Sequence, residues 1–305
     1  MKRKVGAIDL GSNSLRLMVA EVNKNGLKPL RSALRETRLG ERLHSGGTLY
    51  PPAKLRTLEA LSVLLQIMVE EQVERGTVVA TSAVREAVDG SGFLMNMAKI
   101  SPYPVRLLSA REEAYYGFSG AMESTIGLNN EGAFLVLDLG GRSCEFSWKD
   151  NGTFHFYSFT FGAVSLKETF FTTVSPTAKE HDALQVHVGH SLHLEKTLAD
   201  AASSRELLGL GGTVTTLAAL AKELKSFESG CVHGYRLKKD QIDVMGQKLR
   251  CSPPAQRARL LPFAPQRADI ITAGAVALSA LLEGLGKDTL HVSEQGLLHG
   301  VLLEL

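Results

Sequence analysis

Apolar and polar positions alternate in short runs at the start of the chain. Residues 4–10 form an apolar run that ends at Gly11, and residues 14–22 resume a strand-like run. The segment between them, Gly11-Ser12-Asn13-Ser14, consists of residues that favour turns. Asn25-Gly26 has the composition of a second hairpin turn. The pattern therefore predicts that the chain opens with hairpin-linked strands, not with a strand that leads into a helix.

The segment that follows alternates between helical and strand-like spacing. The predicted elements are a helix over Pro51–Arg75 stopped by Gly76, a strand at 78–81, a helix at about 90–99, a strand at Val105–Leu108 and a helix from Ala110. The passage between two domains is predicted to lie in a helix at about 113–130.

The opening pattern then recurs. Residues 133–139 are again an apolar strand that contains an Asp near its end, and Gly140-Gly141-Arg142-Ser143 follows as a small polar turn. Asp138 lies 129 residues after Asp9. Repetition of one strand–turn–strand unit at such a distance indicates an internal duplication, in which each copy opens one domain.

The remainder of the chain continues the alternation of helices and strands. The predicted elements are strands at Cys144–Trp148 and Thr153–Phe161, a helix over 177–202, a strand at 207–210 before a helix to Leu220, a helix over Gln266–Leu282, a strand at 290–292 and a terminal helix. These elements predict domains at 1–118 and 119–296, with the helix 297–305 packing back on the first domain.

Length and charge limit the classes of protein. The chain has 305 residues, enough for about two domains, and 44% of them are hydrophobic. Its 34 basic and 32 acidic residues give a net charge of +2, which argues against a nucleic-acid partner. No apolar stretch of about 18 residues suggests a membrane helix, and Asp9 interrupts the first apolar run too early for a signal peptide. We therefore expect a cytoplasmic protein without a membrane partner.

Cysteine and histidine give little sign of a metal centre. Cys144, Cys231 and Cys251 are scattered, and buried or incidental thiols are the favoured interpretation. His187, His190 and His193 recur at a ligand-like spacing, but no carboxylate or thiol partner is arranged with them. A solvated helix face is the favoured interpretation of that group.

The two Asp-containing turns carry the strongest chemical signal. A tight turn rich in Gly and Ser presents several backbone N–H groups to one point, and such a concavity binds phosphate oxygens. An Asp at the end of the preceding strand can hold Mg²⁺, which prefers one or two carboxylates together with phosphate oxygens. One such turn is weak support, whereas two at the heads of similar domains predict a clamp for a polyphosphate.

Three further candidates remain open on local sequence alone. Gly209-Leu210-Gly211-Gly212-Thr213 fits a phosphate loop or a helix N-terminus capped by Thr213 equally well. The pair Glu112-Glu113 could orient water, but acidic residues are also favoured in a first helical turn. Arg85 could bind a phosphate or form a surface salt bridge, and the guanidinium fork suits either role.

Together these segments resemble the Ppx/GppA phosphatases, within the superfold shared by actin, Hsp70 chaperones and sugar kinases. The motifs that carry the resemblance cover nearly the whole chain: Ala7–Ser14, Arg38–Gly40, Ala80–Ala87, Leu108–Ala114, Leu137–Ser143, Gly209–Thr213, Val232–Gly234, Arg267–Ile271 and Ser293–Leu297. The resemblance implies an α/β protein of two actin-like, ribonuclease H-like domains. Each would hold a mixed five-stranded sheet flanked by helices, with the active site in the cleft between the domains.

The resemblance also implies roles for the candidate residues. Glu113 would be the catalytic base or the group that positions water, with Glu112 as the alternate and Arg85 assisting. The implied phosphate-binding residues are Gly11, Ser12, Asn13 and Ser14, then Gly140, Gly141, Arg142 and Ser143, with Gly211, Gly212 and Thr213 as further candidates. Asp138 and Asp9 would hold Mg²⁺, with Mn²⁺ as the alternative.

Two departures from the family pattern bear on function. Arg142 stands where the second loop of the family usually has a third Gly, so a Cβ there could narrow the loop or forbid a positive φ. The chain also resembles the short, two-domain members, which lack the helical extension of longer ones. A shorter preferred substrate is expected from that difference.

The resemblance implies an exopolyphosphatase, a guanosine pentaphosphate (pppGpp) phosphatase, or an enzyme with both activities. Inorganic polyphosphate and guanosine polyphosphates are the expected partners. Two alternatives stay open. One is a sensor that binds these compounds without turnover, and Arg142 is the residue that supports it. The other is a small-molecule kinase of the same superfold. The sequence gives no oligomeric state, but members of this superfold often pair, so a homodimer is to be tested.

Overall fold

The computed structural model describes residues 3–23, 26–43, 46–123, 131–173, 175–193 and 195–305. The chain divides into two compact units. Unit 1 comprises Met1–Glu123 and Gln295–Leu305, and unit 2 comprises Ser124–Glu294. No helix in the described ranges is both long and apolar enough to cross a bilayer.

Unit 1 is built on a five-stranded sheet. Its strands are β1 (Arg3–Leu10), β2 (Ser14–Asn23), β3 (Gly26–Glu36), β4 (Arg75–Ala80) and β5 (Val105–Leu107), in the order β3-β2-β1-β4-β5. The first three strands pair antiparallel, whereas β4 runs parallel to both β1 and β5. The helices in this stretch are α1 (Pro51–Glu70), α2 (Ser82–Glu86), α3 (Gly90–Ile100) and α4 (Ala110–Glu123).

Side-chain alternation along β1 places Asp9 on a particular face of the sheet. Ile8 and Leu10 belong to the core that lies under α1, whereas Val5 and Ala7 pack on the other face with Tyr116 of α4. Because successive side chains of a strand point to opposite faces, Asp9 shares the face of Val5 and Ala7. Asp9 therefore lies on the side of the sheet that α4 covers.

Unit 2 repeats this plan with a larger sheet. Its strands are β6 (Phe134–Leu139), β7 (Cys144–Asp150), β8 (Thr153–Phe159), β9 (Glu206–Leu210), β10 (Arg236–Lys238) and β11 (Thr289–Val292), in the order β10-β11-β9-β6-β7-β8. Antiparallel β6, β7 and β8 reproduce the opening of unit 1, and β9 lies parallel to β6 and β11. Its helices are α5 (Ala163–Phe170), α6 (Ala178–His193), α7 (Lys196–Ser203), α8 (Gly211–Ala221), α9 (Lys239–Cys251), α10 (Pro254–Leu260) and α11 (Ile271–Gly284).

The last helix, α12 (Leu297–Leu303), belongs to unit 1 and packs against α4. The two helices approach closely at glycines. A Cβ on Gly120 would overlap the carbonyl oxygen of Gly296, and one on Gly300 would overlap that of Tyr116. Only residues without a side chain allow the backbones this close, so the glycines fix how α12 closes unit 1.

Several predicted boundaries are wrong. Helix α1 ends at Glu70, because Gln72 takes a positive φ of 57° and Arg75 already begins β4, which also contains Gly76. The segment predicted as one helix over 177–202 forms two, α6 and α7. Helix α11 begins at Ile271, after a short 3-10 turn at Pro265–Arg267.

The strand prediction needs three corrections. The predicted strand Thr153–Phe161 ends at Phe159, and Val105–Leu108 ends at Leu107. The second sheet has six strands and not five, because the short β10 pairs with β11. Asn25 of the predicted Asn25-Gly26 turn, and residues 124–130 of the predicted passage, lie outside the described residues.

Candidate active site

The two Asp-containing turns have the same backbone geometry. The pairing of β1 with β2 ends at Leu10 opposite Leu15, and the amide of Gly11 donates to the carbonyl of Ser14 at 3.0 Å. In unit 2 the pairing ends at Leu139 opposite Cys144, and Gly140 donates to Ser143 at 3.0 Å. The duplication therefore extends to individual hydrogen bonds, and Asn13 and Arg142 occupy equivalent positions.

Neighbouring segments bind the carbonyl groups of the turn in unit 1. The carbonyl of Ser12 accepts from the amide of Gly40 at 2.8 Å, and that of Asn13 accepts from Arg38 at 2.9 Å. The hydroxyls of Ser12 and Ser82 lie 3.1 Å apart, which ties the turn to the start of α2. Since a trans peptide points its N–H opposite to its C=O, the amides of Asn13 and Ser14 face away from these partners.

Helix α5 binds the turn of unit 2 in the same way. The carbonyl of Gly140 accepts from the amide of Ala163 at 3.0 Å, and that of Gly141 accepts from Val164 at 2.7 Å. Gly162 permits this contact, because a Cβ there would lie 2.6 Å from the amide nitrogen of Arg142. The amides of Gly141 and Arg142 therefore point away from α5, in the arrangement that suits phosphate oxygens.

Arg142 does not distort this turn. It takes no positive φ, so the backbone does not require glycine at this position. Its side chain is 7% exposed, and Nη1 lies 3.4 Å from the Glu168 carboxylate on α5. The guanidinium therefore points toward α5, whereas the backbone amide of Arg142 points away from that helix.

Two carboxylates lie side by side at the unit 2 turn. Asp138 and Glu145 are directly opposite each other on β6 and β7, so their side chains share one face at about 5 Å between Cβ atoms. Glu145 is buried and accepts a hydrogen bond from the Ser158 hydroxyl at 3.1 Å. Burial raises the pKa of the Cys144 thiol well above its usual value, and the charges of Glu145 and Asp138 add to that effect.

Sequence reasoning missed Glu145. Its distance from Asp138 along the chain does not mark it as a ligand, and only the β6–β7 register shows that the two side chains are neighbours. Alignment of the two copies of the repeat draws attention to this position. The residue of unit 1 that is equivalent to Glu145 is Arg16, which lies opposite Asp9. Asp9 is buried opposite an arginine, whereas Asp138 faces a second carboxylate. The two aspartates therefore lie in different electrostatic environments.

The third glycine cluster joins this edge of the unit 2 sheet. Gly211 has a φ of 89°, and a Cβ there would lie 2.7 Å from Oδ1 of Asp138. A Cβ on Gly212 would overlap the Arg267 guanidinium. The interpretation of Thr213 as a helix cap is wrong, because the N-cap of α8 is Leu210 and Thr213 packs against Gly274. The backbone of Gly211 is thus the part of this cluster next to Asp138.

The adjacent glutamates of α4 have different partners. Glu112 accepts hydrogen bonds from the amide and hydroxyl of Ser109, both at 2.8 Å, in a capping box at the start of the helix. These hydrogen bonds, led by that of the Ser109 amide, lower the pKa of Glu112. Glu112 also pairs with Arg106 at 3.3 Å, so its carboxylate is bound by partners at the start of α4.

Glu113 is held instead by Arg85. The Arg85 Nη1 lies 3.0 Å from the Glu113 carboxylate and donates to the Leu108 carbonyl at 2.9 Å. The Glu113 side chain is 12% exposed. Strands β1, β4 and β5 run parallel, so the turn after β1, Arg85 after β4 and Glu113 after β5 all follow the carboxyl edge of one sheet.

The remaining metal-ligand types are dispersed. His187, His190 and His193 lie on α6, and Cys231 and Cys251 are separate thiols. Across the described ranges, no three His, Cys, Asp or Glu side chains gather in a group that could hold a metal ion.

Comparison with known proteins gives one consistent result. The model of the Ppx/GppA phosphatase family matches residues 18–305. Exopolyphosphatase 2 of Mycobacterium tuberculosis is 32% identical over 316 residues, which cover 99% of this chain and 98% of that protein. The two-unit α/β fold is shared with the crystal structure of the Ppx/GppA family member from Aquifex aeolicus, with a TM-score of 0.80, 29% identity, and coverage of 100% of this chain and 97% of that one.

A crystal structure of an exopolyphosphatase-like protein superposes with a TM-score of 0.92 at 28% identity, covering 99% of this chain and 97% of that one. These likenesses confirm the predicted actin-like architecture, with the sixth strand of unit 2 as its correction. Sequence and structure thus agree over nearly the full length, and the chain belongs to the Ppx/GppA phosphatase family.

Proposed function

We propose that this chain is an exopolyphosphatase, which hydrolyses the terminal phosphoanhydride bond of inorganic polyphosphate. Family membership and the relative named exopolyphosphatase 2 support this activity. The observation that carries it is Glu113, a carboxylate held by Arg85 on the same sheet edge as the Gly11–Ser14 turn. A turn suited to phosphate oxygens and an oriented carboxylate, both at one sheet edge, are groups that hydrolysis requires.

Glu113 would orient the attacking water and accept its proton. The water oxygen forms a bond to the terminal phosphorus while the bond from phosphorus to the bridging oxygen breaks. The products are orthophosphate and a chain shorter by one phosphate. Arg85 fixes the carboxylate while the Leu108 carbonyl holds Arg85 itself, and the amides of Asn13 and Ser14 would stabilise charge on phosphate oxygens.

Unit 2 offers a second set of phosphate ligands and the better candidate site for a divalent metal. Asp138 and Glu145 provide two facing carboxylates, and Mg²⁺ prefers one or two carboxylates completed by water and phosphate oxygens. That ligand set fits Mg²⁺, with Mn²⁺ as the alternative. When bound, the ion would neutralise charge on the phosphates. Asp9 faces Arg16 and fits a cation less well.

The same attack on pppGpp would release its 5′-terminal phosphate, so this nucleotide is the second substrate to compare. The turns would contact phosphates through backbone amides, which do not distinguish the two compounds. The non-catalytic alternative rested on distortion of the second turn by Arg142. The matched hydrogen bonds of the two turns and the Arg142–Glu168 ion pair weaken that argument.

Phosphate release by the purified protein tests the proposal. Long-chain polyphosphate, short-chain polyphosphate and pppGpp are offered separately with Mg²⁺, with Mn²⁺ and with a chelator. We expect release from polyphosphate that the chelator stops and that Glu145→Gln weakens, with more metal needed for half-maximal rate. Binding of these compounds without release from any of them would support a sensor and contradict the proposed activity.

A further inference from the structure

A 14-residue connection between α8 and β10, residues 222–235, is anchored by one carboxylate. Glu294 accepts hydrogen bonds from three backbone amides of this loop: Gly230 at 2.7 Å, Val232 at 2.8 Å and His233 at 3.1 Å. Gly230 and Gly234 take positive φ values of 87° and 73°, which allows the chain to turn around the carboxylate. The backbone of His233 is therefore held in one place.

The imidazole of His233 is oriented as well. Its Nδ1 lies 3.2 Å from the backbone nitrogen of Glu294, which donates the hydrogen bond. Because a backbone N–H can only donate, Nδ1 is the acceptor, and the neutral ring carries its proton on Nε2. His233 is exposed, so an oriented Nε2–H donor is presented at the surface of unit 2.

Glu294, which orients this donor, lies at the same sheet edge as the phosphate ligands of unit 2. Val292 of β11 and Leu137 of β6 both pair with Gly209 of β9, and Glu294 follows two residues after Val292. Glu294 is therefore two strand spacings from β6, roughly 10 Å, at the edge where Asp138 and Gly211 lie. A polyphosphate chain held at Asp138 needs only a few units to reach this distance.

The geometry points to His233 as a substrate-binding residue, whose Nε2–H donates to a non-bridging oxygen of the polyphosphate chain, with Glu294 as its positioning residue. This inference rests on the proposed function and adds a ligand within unit 2. A charge-assisted hydrogen bond is stronger than a neutral one, and a rigid donor loses little entropy when it binds. The contact would strengthen substrate binding, and it would have little effect on the rate of the reaction at the terminal phosphorus.

Two substitutions separate substrate binding from loop anchoring. In His233→Asn the side-chain oxygen replaces Nδ1 as acceptor for the Glu294 amide, but nothing replaces Nε2–H. In His233→Gln the amide group reaches the position of Nε2 and can donate, while the acceptor is lost. His190→Asn, on the surface of α6, is the matched control.

For His233→Asn we expect the KM for long-chain polyphosphate to rise about tenfold, the size of one modest hydrogen bond. The value of kcat and the unfolding temperature should stay near those of the parent, and His233→Gln should recover most of the lost affinity. If His233→Asn matches the parent while His233→Gln lowers the unfolding temperature, the histidine only anchors the loop, and the inference is overturned.

A direct binding measurement tests the His233 contact without depending on the proposed activity. Calorimetry measures the Kd of long-chain polyphosphate for the parent, His233→Asn and His190→Asn. A Kd raised about tenfold in His233→Asn alone supports the contact, even if the parent releases no phosphate. Equal Kd values contradict it even if release is normal. A parent protein that neither binds nor hydrolyses polyphosphate would contradict both.

Discussion

Arg85 is fixed from two sides, by the Glu113 carboxylate at 3.0 Å and by the Leu108 carbonyl at 2.9 Å. Removing its charge takes away the ion pair that helps to orient the Glu113 carboxylate. We predict that Arg85→Met lowers kcat for phosphate release by about 10- to 100-fold, since catalysis depends on the position of the base. Steady-state kinetics on long-chain polyphosphate measure this, with thermal unfolding to show that the fold persists.

Arg85→Lys is the matched comparison. A lysine keeps the charge but offers a single point donor, so it should recover part of kcat and not all of it. A larger effect on KM than on kcat in both variants would show that Arg85 binds phosphate, and would contradict its role in holding Glu113.

His181 is a second residue with an unusual environment. It is 8% exposed, its ring stacks on Phe171, and its Nε2 has no hydrogen-bond partner among the described residues. Burial, together with the charge of Arg250, lowers the pKa of His181 to about 4. Arg257 acts in the same direction, whereas the nearby Asp182 and Glu180 oppose it.

This depressed pKa predicts acid sensitivity. The unfolded state binds a proton near pH 6.5 and the folded state only near pH 4, so stability is complete above pH 6.5 and is lost as the pH falls toward 4. At pH 5 the loss should be about 2 kcal/mol. Urea unfolding of the parent and of His181→Phe, from pH 7.5 to 5, measures it; parallel stability curves for the two proteins would contradict the prediction.

Residue roles were the least predictable part of the site. The sequence presents Glu112 and Glu113 as equivalent, and only the capping contacts of one and the Arg85 pair of the other distinguish them. Glu145 becomes a candidate ligand only through the β6–β7 register. These distinctions depend on partners that are distant in sequence, which local patterns do not contain.

At the scale of elements, the contact between α5 and the second turn should be sensitive to one methyl group. A Cβ on Gly162 would lie 2.5 Å from the carbonyl carbon of Gly141 and 2.6 Å from the Arg142 amide nitrogen. We predict that Gly162→Ala costs about 1–3 kcal/mol of stability and displaces the turn. Phosphate release should fall by about 100-fold, because small displacements of binding groups have large kinetic effects.

Gly189 provides the matched control. It lies within α6, where a Cβ would meet nothing within 4 Å. Gly189→Ala should stabilise the protein by about 0.5–1 kcal/mol and leave activity unchanged. If Gly162→Ala behaves like Gly189→Ala in both unfolding and turnover, the turn does not depend on its packing against α5.

The sequence predicted elements best where the apolar pattern was strong. Strands β1, β2 and β6 are largely buried, and their runs were recognised. The turn predicted at Asn25-Gly26 implies a strand after it, but the bounds of β3 were not predicted, because it is an exposed edge strand with a charged sequence and Pro29 at a register shift. The three residues of β10 are too few to give a period, so the sixth strand could not be predicted.

At the scale of the molecule, the duplication was the most informative feature of the sequence. The recurrence of Asp-Leu-Gly reflects two sheets whose first hairpins share register and turn hydrogen bonds. Helix α12 belongs to unit 1, where it packs against α4.

The copies differ where chemistry would require it. Unit 1 carries the Arg85–Glu113 pair and an Asp9 that faces Arg16, whereas unit 2 carries facing carboxylates. Divergence of this kind favours water activation in unit 1 and metal binding in unit 2. Phosphate release is therefore expected to depend most on Glu113.

The most direct test compares Glu113→Gln with Glu112→Gln in phosphate release from long-chain polyphosphate. The two variants make the same chemical change at adjacent positions, and Gln can still complete the capping box at 112. We predict that Glu113→Gln lowers kcat by about 100- to 10,000-fold without loss of stability, while Glu112→Gln stays within about twofold of the parent. Normal turnover by Glu113→Gln, or an equal loss in both variants, would contradict the account.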